Sequence, residues 1–341
     1  MVKLKNTNPL IKKTYNAYHY LISKTPINNL PLSQLFLVLL TFIMAYFVLK
    51  HMIYYNIFVP SISIEGFDNA DSNKQFIMKK NNGLFDDFYA SIYDTLVYSD
   101  IKNAFELNRL SYYATIDQHS NILDIGCGTG HHVAQIADSN AILSNDNIIG
   151  IDISKAMVNK SQDNYPALKN CYQLGDATDP TLFRDDTFSH ILCLYFTIYY
   201  IKDKYRFFKN CHTWLQPGGI VLLHLVDRDE FDPIIPAGNP LEIINVQNYS
   251  DKRITSSKVA FNGFNYQANF DYKPTKNRSY FTEKFIYNNG KTRQNEHTFY
   301  METQNDILTT AKQAGFIVKE KNHMHKCGYE KQYLYILEKT H

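Results

Sequence analysis

The run Leu123-Asp124-Ile125-Gly126-Cys127-Gly128-Thr129-Gly130 passes from an apolar, strand-like segment straight into a glycine-rich turn, and a helical pattern follows from His131. Glycines suit such a turn because it is tight and because a ligand must lie against bare backbone. The third glycine follows the second by two residues, and His131 stands where the dinucleotide fingerprint G-x-G-x-x-G requires glycine. Two further acids come in order. Asp152 ends the next apolar run, about twenty residues on, where a carboxylate can accept both of two neighbouring hydroxyls. In Gly175-Asp176-Ala177, after a third run, the carboxylate can take an amino group on a heterocycle while the next backbone N–H takes a ring nitrogen. Each acid alone reads equally well as a hydrated surface group. Three of them at the carboxyl ends of successive strands face one crevice.

The glycine spacing favours S-adenosylmethionine over NAD. That ligand has no pyrophosphate, so the loop has only to accommodate a methionine moiety, whose ammonium group suits the Asp124 carboxylate. With these residues and with Leu215-Gln216-Pro217-Gly218-Gly219, the chain resembles the class I S-adenosylmethionine-dependent methyltransferase superfamily (type 11/25-like domain) over about residues 85–341. The resemblance implies a doubly wound, mainly parallel, Rossmann-like seven-stranded sheet whose last strand is antiparallel. It implies cofactor contacts from Asp124, Gly126, Gly128, Gly130, Asp152, Ile153, Asp176, Ala177 and Leu194. Phe88-Tyr89 and Ile92-Tyr93-Asp94 look like the helix that closes over the cofactor, with Tyr89 as a lid residue. One departure is Phe188-Ser189-His190, where the family commonly has Phe-Asp at the start of the fourth strand.

The elements that position these residues alternate along the chain. Residues 85–117 carry apolar side chains at helical spacing and predict two helices. Strands over Asn121–Ile125, Ile148–Ile151, Tyr172–Leu174, Ile191–Tyr195 and Ile220–Val226 alternate with helices from His131, over Lys155–Asn164, near Asp179–Leu182 and over Asp203–Leu215. Such alternation means parallel βαβ units. An antiparallel β insertion follows the fifth strand: 260–301 read as pocket-covering strands, with Asn289-Gly290 as a hairpin turn and Glu283, Arg293, Glu296 and His297 as polar groups of the cover. A last helix, Thr303–Ala314, stops at Gly315, and Phe316–Lys319 and Gln332–Glu338 close the sheet.

Ahead of the domain lie a basic tail (1–29), an apolar segment (30–59) and a polar linker (60–84). Leu30 to Leu49 is free of charge and, at about twenty residues, long enough to cross a bilayer as a single transmembrane helix, with Tyr54 and Tyr55 at an interface. A cleaved signal would carry its apolar run nearer the start, and a core helix would show a polar stripe. Residues 1–64 hold no Asp or Glu, and a lysine-rich tail predicts tail inside and domain outside. S-adenosylmethionine is made in the cytosol, so a mitochondrial inner-membrane position would reconcile the two, against the lack of Arg in the tail.

The 35 basic and 33 acidic residues nearly cancel, which gives no field for a nucleic-acid partner. Five scattered cysteines without C-x-x-C indicate neither disulfides nor a zinc site, and His323-Met324-His325 lacks a third ligand, so no metal is expected. The acceptor should sit beyond strands four and five, near Tyr195, Thr197, Tyr199, Tyr200, His224 and Asp227. Tyr195 and His224 are the catalytic candidates; His224 could take a proton or be a structural strand histidine. No Asn-Pro-Pro-Tyr follows strand four, which argues against methylation of DNA bases. The reading is a membrane-anchored methyltransferase for a small-molecule or lipid-like acceptor. The alternatives are an inactive methyltransferase-like membrane-bound assembly or binding factor, and a hydride-transferring enzyme.

Overall fold

The computed structural model describes residues 37–47, 75–139, 143–238 and 246–340. The chain divides into two compact units, residues 1–63 and 64–341. In the first, residues 37–47 are helical with exposed side chains. Among the described residues no helix is long and apolar enough to cross a membrane. The expected spanning helix is therefore not borne out; the rest of 30–59 lies outside the described residues, as does the basic tail.

The second unit contains a seven-stranded sheet in the order β11-β12-β6-β5-β2-β3-β4. Its strands are β2 (Ile122–Ile125), β3 (Ile148–Asp152), β4 (Tyr172–Leu174), β5 (Phe188–Cys193), β6 (Leu215–Val226), β11 (Phe316–His323) and β12 (Gln332–Lys339). Strands β4, β3, β2, β5 and β6 pair in parallel, and β12 runs antiparallel between β6 and β11. All four residues of β2 and the last eight of β6 are buried, as expected of strands covered on both faces. Helices α1 (Asp87–Val97), α2 (Asp100–Tyr113), α3 (His131–Ser139), α4 (Lys155–Asn164), α5 (Thr197–Tyr200), α6 (Lys204–Trp214) and α7 (Gln304–Gln313) complete the unit. Their starts follow from side-chain caps: Asp86, Ser99, Ser154 and Asp203 each accept a backbone N–H of the first turn, and Thr303 with Asp306 forms a capping box.

A second sheet, in the order β1-β10-β9-β8-β7, is built from β1 (Phe76–Lys80), β7 (Ser256–Ala260), β8 (Phe264–Lys273), β9 (Arg278–Tyr287) and β10 (Thr292–Tyr300). Burial alternates residue by residue along β8, β9 and β10, so this sheet has one inner and one outer face. Two expectations need correction here. Residues 60–84 are not linker throughout: β1 pairs in parallel with β10 and buries Ile77. No helix forms near Asp179–Leu182. Asp176 and Asp179 each accept both the N–H and the hydroxyl of the threonine two residues on, and such local turns compete with helix.

Candidate active site

The glycine loop is fixed to the end of β3. Gly126 N and Cys127 N donate to Ile151 O at 2.8 and 3.0 Å, and Gly128 N donates to Asp152 Oδ2 at 3.1 Å. Gly126 and Gly130 have φ of +72° and +94°, in the region that side chains rarely adopt. A Cβ on Gly126 would lie 2.5 Å from Thr197 Oγ1, and one on Gly130 2.8 Å from Ser161 and the Tyr172 ring. Gly126 thus keeps the loop open beside the cavity, whereas Gly130 lets the α3 start pack on β4.

The loop borders a cavity of about 400 Å³ at the carboxyl ends of the parallel strands. Ten of the expected residues line it: Tyr89, Asp124, Gly126, Gly128, Asp152, Ile153, Asp176, Ala177, Leu194 and Tyr195. Asp124 is buried and its Oδ2 has no hydrogen-bond partner; burial pushes its carboxyl up to about 6. Asp152 accepts from Ser154 N at 2.8 Å as well as from Gly128 N, and burial likewise pushes it up to about 6. Asp176 commits Oδ1 to its own turn with Thr178. Tyr195 holds φ +52°, a strained conformation of the kind that gathers at functional sites; burial pushes its hydroxyl well above the usual phenol range, so it is a donor, not a base.

Of the residues expected to bind cofactor or act in catalysis, Gly130 and His224 are not at the cavity wall, and neither are Tyr199 and Asp227, expected near the acceptor. Gly130 serves packing, as above. His224 is wholly buried in β6, with Nε2 3.0 Å from Gln332 Oε1 and Nδ1 3.7 Å from Glu106 Oε1. Burial pushes it down to about 4, which favours the structural of its two expected readings over the proton acceptor. Arg293 and Glu296 are also structural: Arg293 bonds Asp86, Leu84 O and Asn295, and Glu296 pairs with Lys80.

One polar group escaped the sequence reading, and the expected Tyr200, Glu283 and His297 prove to be joined in another. Beside Asp124, Lys102 Nζ and His132 Nε2 lie 2.9 and 2.8 Å from Glu106 Oε2. The signal was available in α2, where Lys102, Asn103 and Glu106 share a helical face with buried Leu110. On the opposite wall, His297 of β10 bonds Tyr200 Oη and Glu283 Oε2.

Residues 123–223 match the family model of a methyltransferase domain. Phosphoethanolamine N-methyltransferase 3 of Arabidopsis thaliana is 31% identical over 104 residues, which cover 30% of this chain and 20% of that one. Malonyl-[acyl-carrier protein] O-methyltransferase 2 of Ilyobacter polytropus is 29% identical over 114 residues, 33% of this chain and 41% of that one. The chain thus spans about a fifth of the phosphoethanolamine relatives' length. The CcbJ methyltransferase of Streptomyces caelestis superposes with a TM-score of 0.56 at 15% identity, over 75% of this chain and 98% of that one. An S-adenosylmethionine-dependent methyltransferase of Clostridium acetobutylicum gives 0.54 at 16%, over 74% and 98%. Residues 123–223 therefore carry a methyltransferase domain, and the fold around them is shared with solved S-adenosylmethionine-dependent methyltransferases.

The residues of this methyltransferase domain fit S-adenosylmethionine. A buried carboxylate oxygen without a partner, on Asp124, is costly unless a cationic donor meets it, and the ligand's ammonium group is such a donor. The open glycine loop and the acid at the end of β3 suit the ligand's backbone and ribose.

Proposed function

We propose that the chain methylates a small-molecule or lipid-like acceptor, with Asp124 holding the ammonium group of S-adenosylmethionine, Asp152 its ribose hydroxyls, and Asp176 with Ala177 its adenine. Ile153 and Leu194 flank the adenosine, and Tyr89 closes over it from α1. The orphaned Asp124 carboxylate inside the cavity carries the reading. When bound, the cofactor supplies an electrophilic methyl group on a sulfonium. The chain's own residues have to align the acceptor with it and exclude water, which can account for most of the acceleration. The second sheet does the excluding, with Phe270, Phe281, His297 and Phe299 on the cavity wall.

Calorimetry on the full-length protein tests this. Adenosylhomocysteine binds at pH 7.5 and NADH does not; the reverse would sink the reading. Affinity also depends on pH with a definite sign. Asp124 and Asp152 are held at about 6, and both must be ionised to receive the ligand. Binding is therefore level above that value and weakens as pH falls through it, by up to about two protons' dependence. An affinity unchanged between pH 7.5 and 5 would remove both carboxylates from the site.

The uncharged stretch from Leu30 to Leu49 supports attachment to a membrane through 30–59, and the acid-free tail supports the mitochondrial inner membrane as its place. In carbonate extraction the full-length protein stays with the membrane pellet. Its recovery in the supernatant would refute a spanning anchor.

A further inference from the structure

Beyond Thr197 the cavity is walled by Phe85, Tyr89, Tyr200, Phe281 and Phe299. The His297 ring lies among them, 5.4 Å from Phe281, 5.8 Å from Tyr89 and 6.0 to 6.1 Å from the other three, centroid to centroid. Both its nitrogens are held. Nε2 is 2.7 Å from Glu283 Oε2, and Nδ1 is 2.6 Å from Tyr200 Oη. Glu283 is fully enclosed; Tyr266 Oη and Asn295 Nδ2 donate to it at 2.8 and 3.3 Å, and Tyr89 donates too. Burial pushes this carboxyl up, but the charge and hydrogen bond of His297 and the hydroxyls of Tyr266 and Tyr89 outweigh that and hold it below the usual carboxylate range. An ionised carboxylate only accepts. Nε2 therefore donates to Glu283, which leaves Nδ1 as the nitrogen that can accept from the Tyr200 hydroxyl.

The charge around the cavity as a whole is one-sided. Among the described lining residues are Asp94, Asp124, Asp152, Asp176 and Asp232, whereas the lining Lys and Arg side chains are Lys102, paired with Glu106, and exposed Lys202. A carboxylate or phosphate on the acceptor would find no free cation inside. Ring faces backed by a buried carboxylate instead attract a cation.

We propose that the acceptor is an amine, received as a cation between these rings, and that its proton passes to Tyr200 and from Tyr200 to His297. The proposal rests on the methyltransferase reading above. The ammonium proton moves to Tyr200 Oη as the phenol proton moves to Nδ1, which leaves an imidazolium against the Glu283 carboxylate. The freed nitrogen lone pair forms the new N–CH3 bond, and the electron pair of the broken S–CH3 bond stays on sulfur as it becomes a neutral thioether. Charge and protons balance without an oxidant.

The test uses full-length protein saturated with adenosylhomocysteine, tetramethylammonium chloride as a cation that carries no proton to lose, and tert-butanol as its neutral counterpart. Tetramethylammonium binds at pH 8 and tert-butanol does not. The groups that face His297 are Tyr89 on α1, Tyr200 on α5, Tyr266 on β8 and Glu283 on β9, with Asp232 also on the cavity wall. Glu283→Gln removes the counter-charge and weakens the probe about tenfold at pH 8. Equal binding of tert-butanol, or unaltered tetramethylammonium affinity in Glu283→Gln, overturns the assignment. Adenosylhomocysteine binding without tetramethylammonium binding refutes the amine acceptor alone. Loss of adenosylhomocysteine binding itself refutes the methyltransferase reading, and this inference with it.

Discussion

Asp152→Ala binds adenosylhomocysteine at least a hundredfold more weakly than the wild type. The carboxylate stands at the end of β3 on the cavity wall, and as ribose acceptor it would make two charge-assisted hydrogen bonds. Each contributes roughly 1.5–3 kcal/mol, so losing both costs about two orders of magnitude or more in affinity. The substitution also releases Gly128 N and Ser154 N, so the loop loses the tie that keeps it spread against β3. The unliganded protein feels two opposed effects. Two N–H groups lose a partner, which destabilises; a carboxyl pushed up to about 6 by burial is removed, which relieves the folded state at neutral pH. Its melting temperature consequently stays within a few degrees, roughly, of the wild-type value. Thermal shift with and without adenosylhomocysteine separates the cases, because a ligand that binds only the folded state raises the melting temperature with the logarithm of its concentration over Kd. The same ligand-induced shift in both proteins would remove Asp152 from the ribose site.

Glu106→Ala has its effect on stability instead. Glu106 is wholly buried, and its Oε2 holds both Lys102 Nζ and His132 Nε2. Without it, Lys102 is left as a buried ammonium group that has lost the carboxylate it pairs with. Breaking a buried pair from one side costs roughly 3–5 kcal/mol, which in a domain of this size lowers the melting temperature by about 10 °C. Burial pushes the Glu106 carboxyl up, but the Lys102 ammonium, then the His132 hydrogen bond and charge, outweigh this and hold it at about 2 against 4.5 for the free group. A carboxyl depressed in the folded state stabilises fully above its unfolded value, and that contribution is lost as pH falls from about 4.5 towards 2. Acid unfolding of the wild type followed by circular dichroism should therefore include a component over that range that is missing in Glu106→Ala. Equal melting temperatures for the two proteins at pH 7 would show that Lys102 does not depend on Glu106.

How far the site was legible depended on how local its determinants are. The glycine loop, Asp152 and Asp176 are fixed by short-range rules: a strand must end, a turn must tighten, and an acid must follow at one residue's remove. The alternation along β8, β9 and β10 was visible for the same reason, since a sheet with one wet face writes a period of two into the chain. For His224 the sequence left two readings open, because period two says which face of a strand a side chain takes but not how far along the strand the cavity reaches; the ring is buried against Gln332. Tyr200, Glu283 and His297 come from three separate elements in two sheets' worth of chain, so no motif spacing could have joined them. The strand β1 was hidden by its neighbours: five residues, FIMKK, in a polar stretch, whose pairing with β10 is set by tertiary contact and not by propensity.

The position of β12 bears on how the protein is made. This strand, Gln332–Lys339, sits between β6 and β11, so the last strand in the sequence is an interior strand of the main sheet. While a ribosome is still adding residues before Gln332, β6 has paired with β5 on one side only, and its other edge offers Ile220, Val221, Leu222, Leu223 and Leu225 beside open backbone. An unpaired apolar edge of this kind invites strands from other nascent chains. The cover sheet is in the same position, because β1 pairs with a strand more than two hundred residues later, and contacts of such separation form slowly. Neither sheet can close as its earlier strands emerge, so both edges stay open until segments far along the chain have been added.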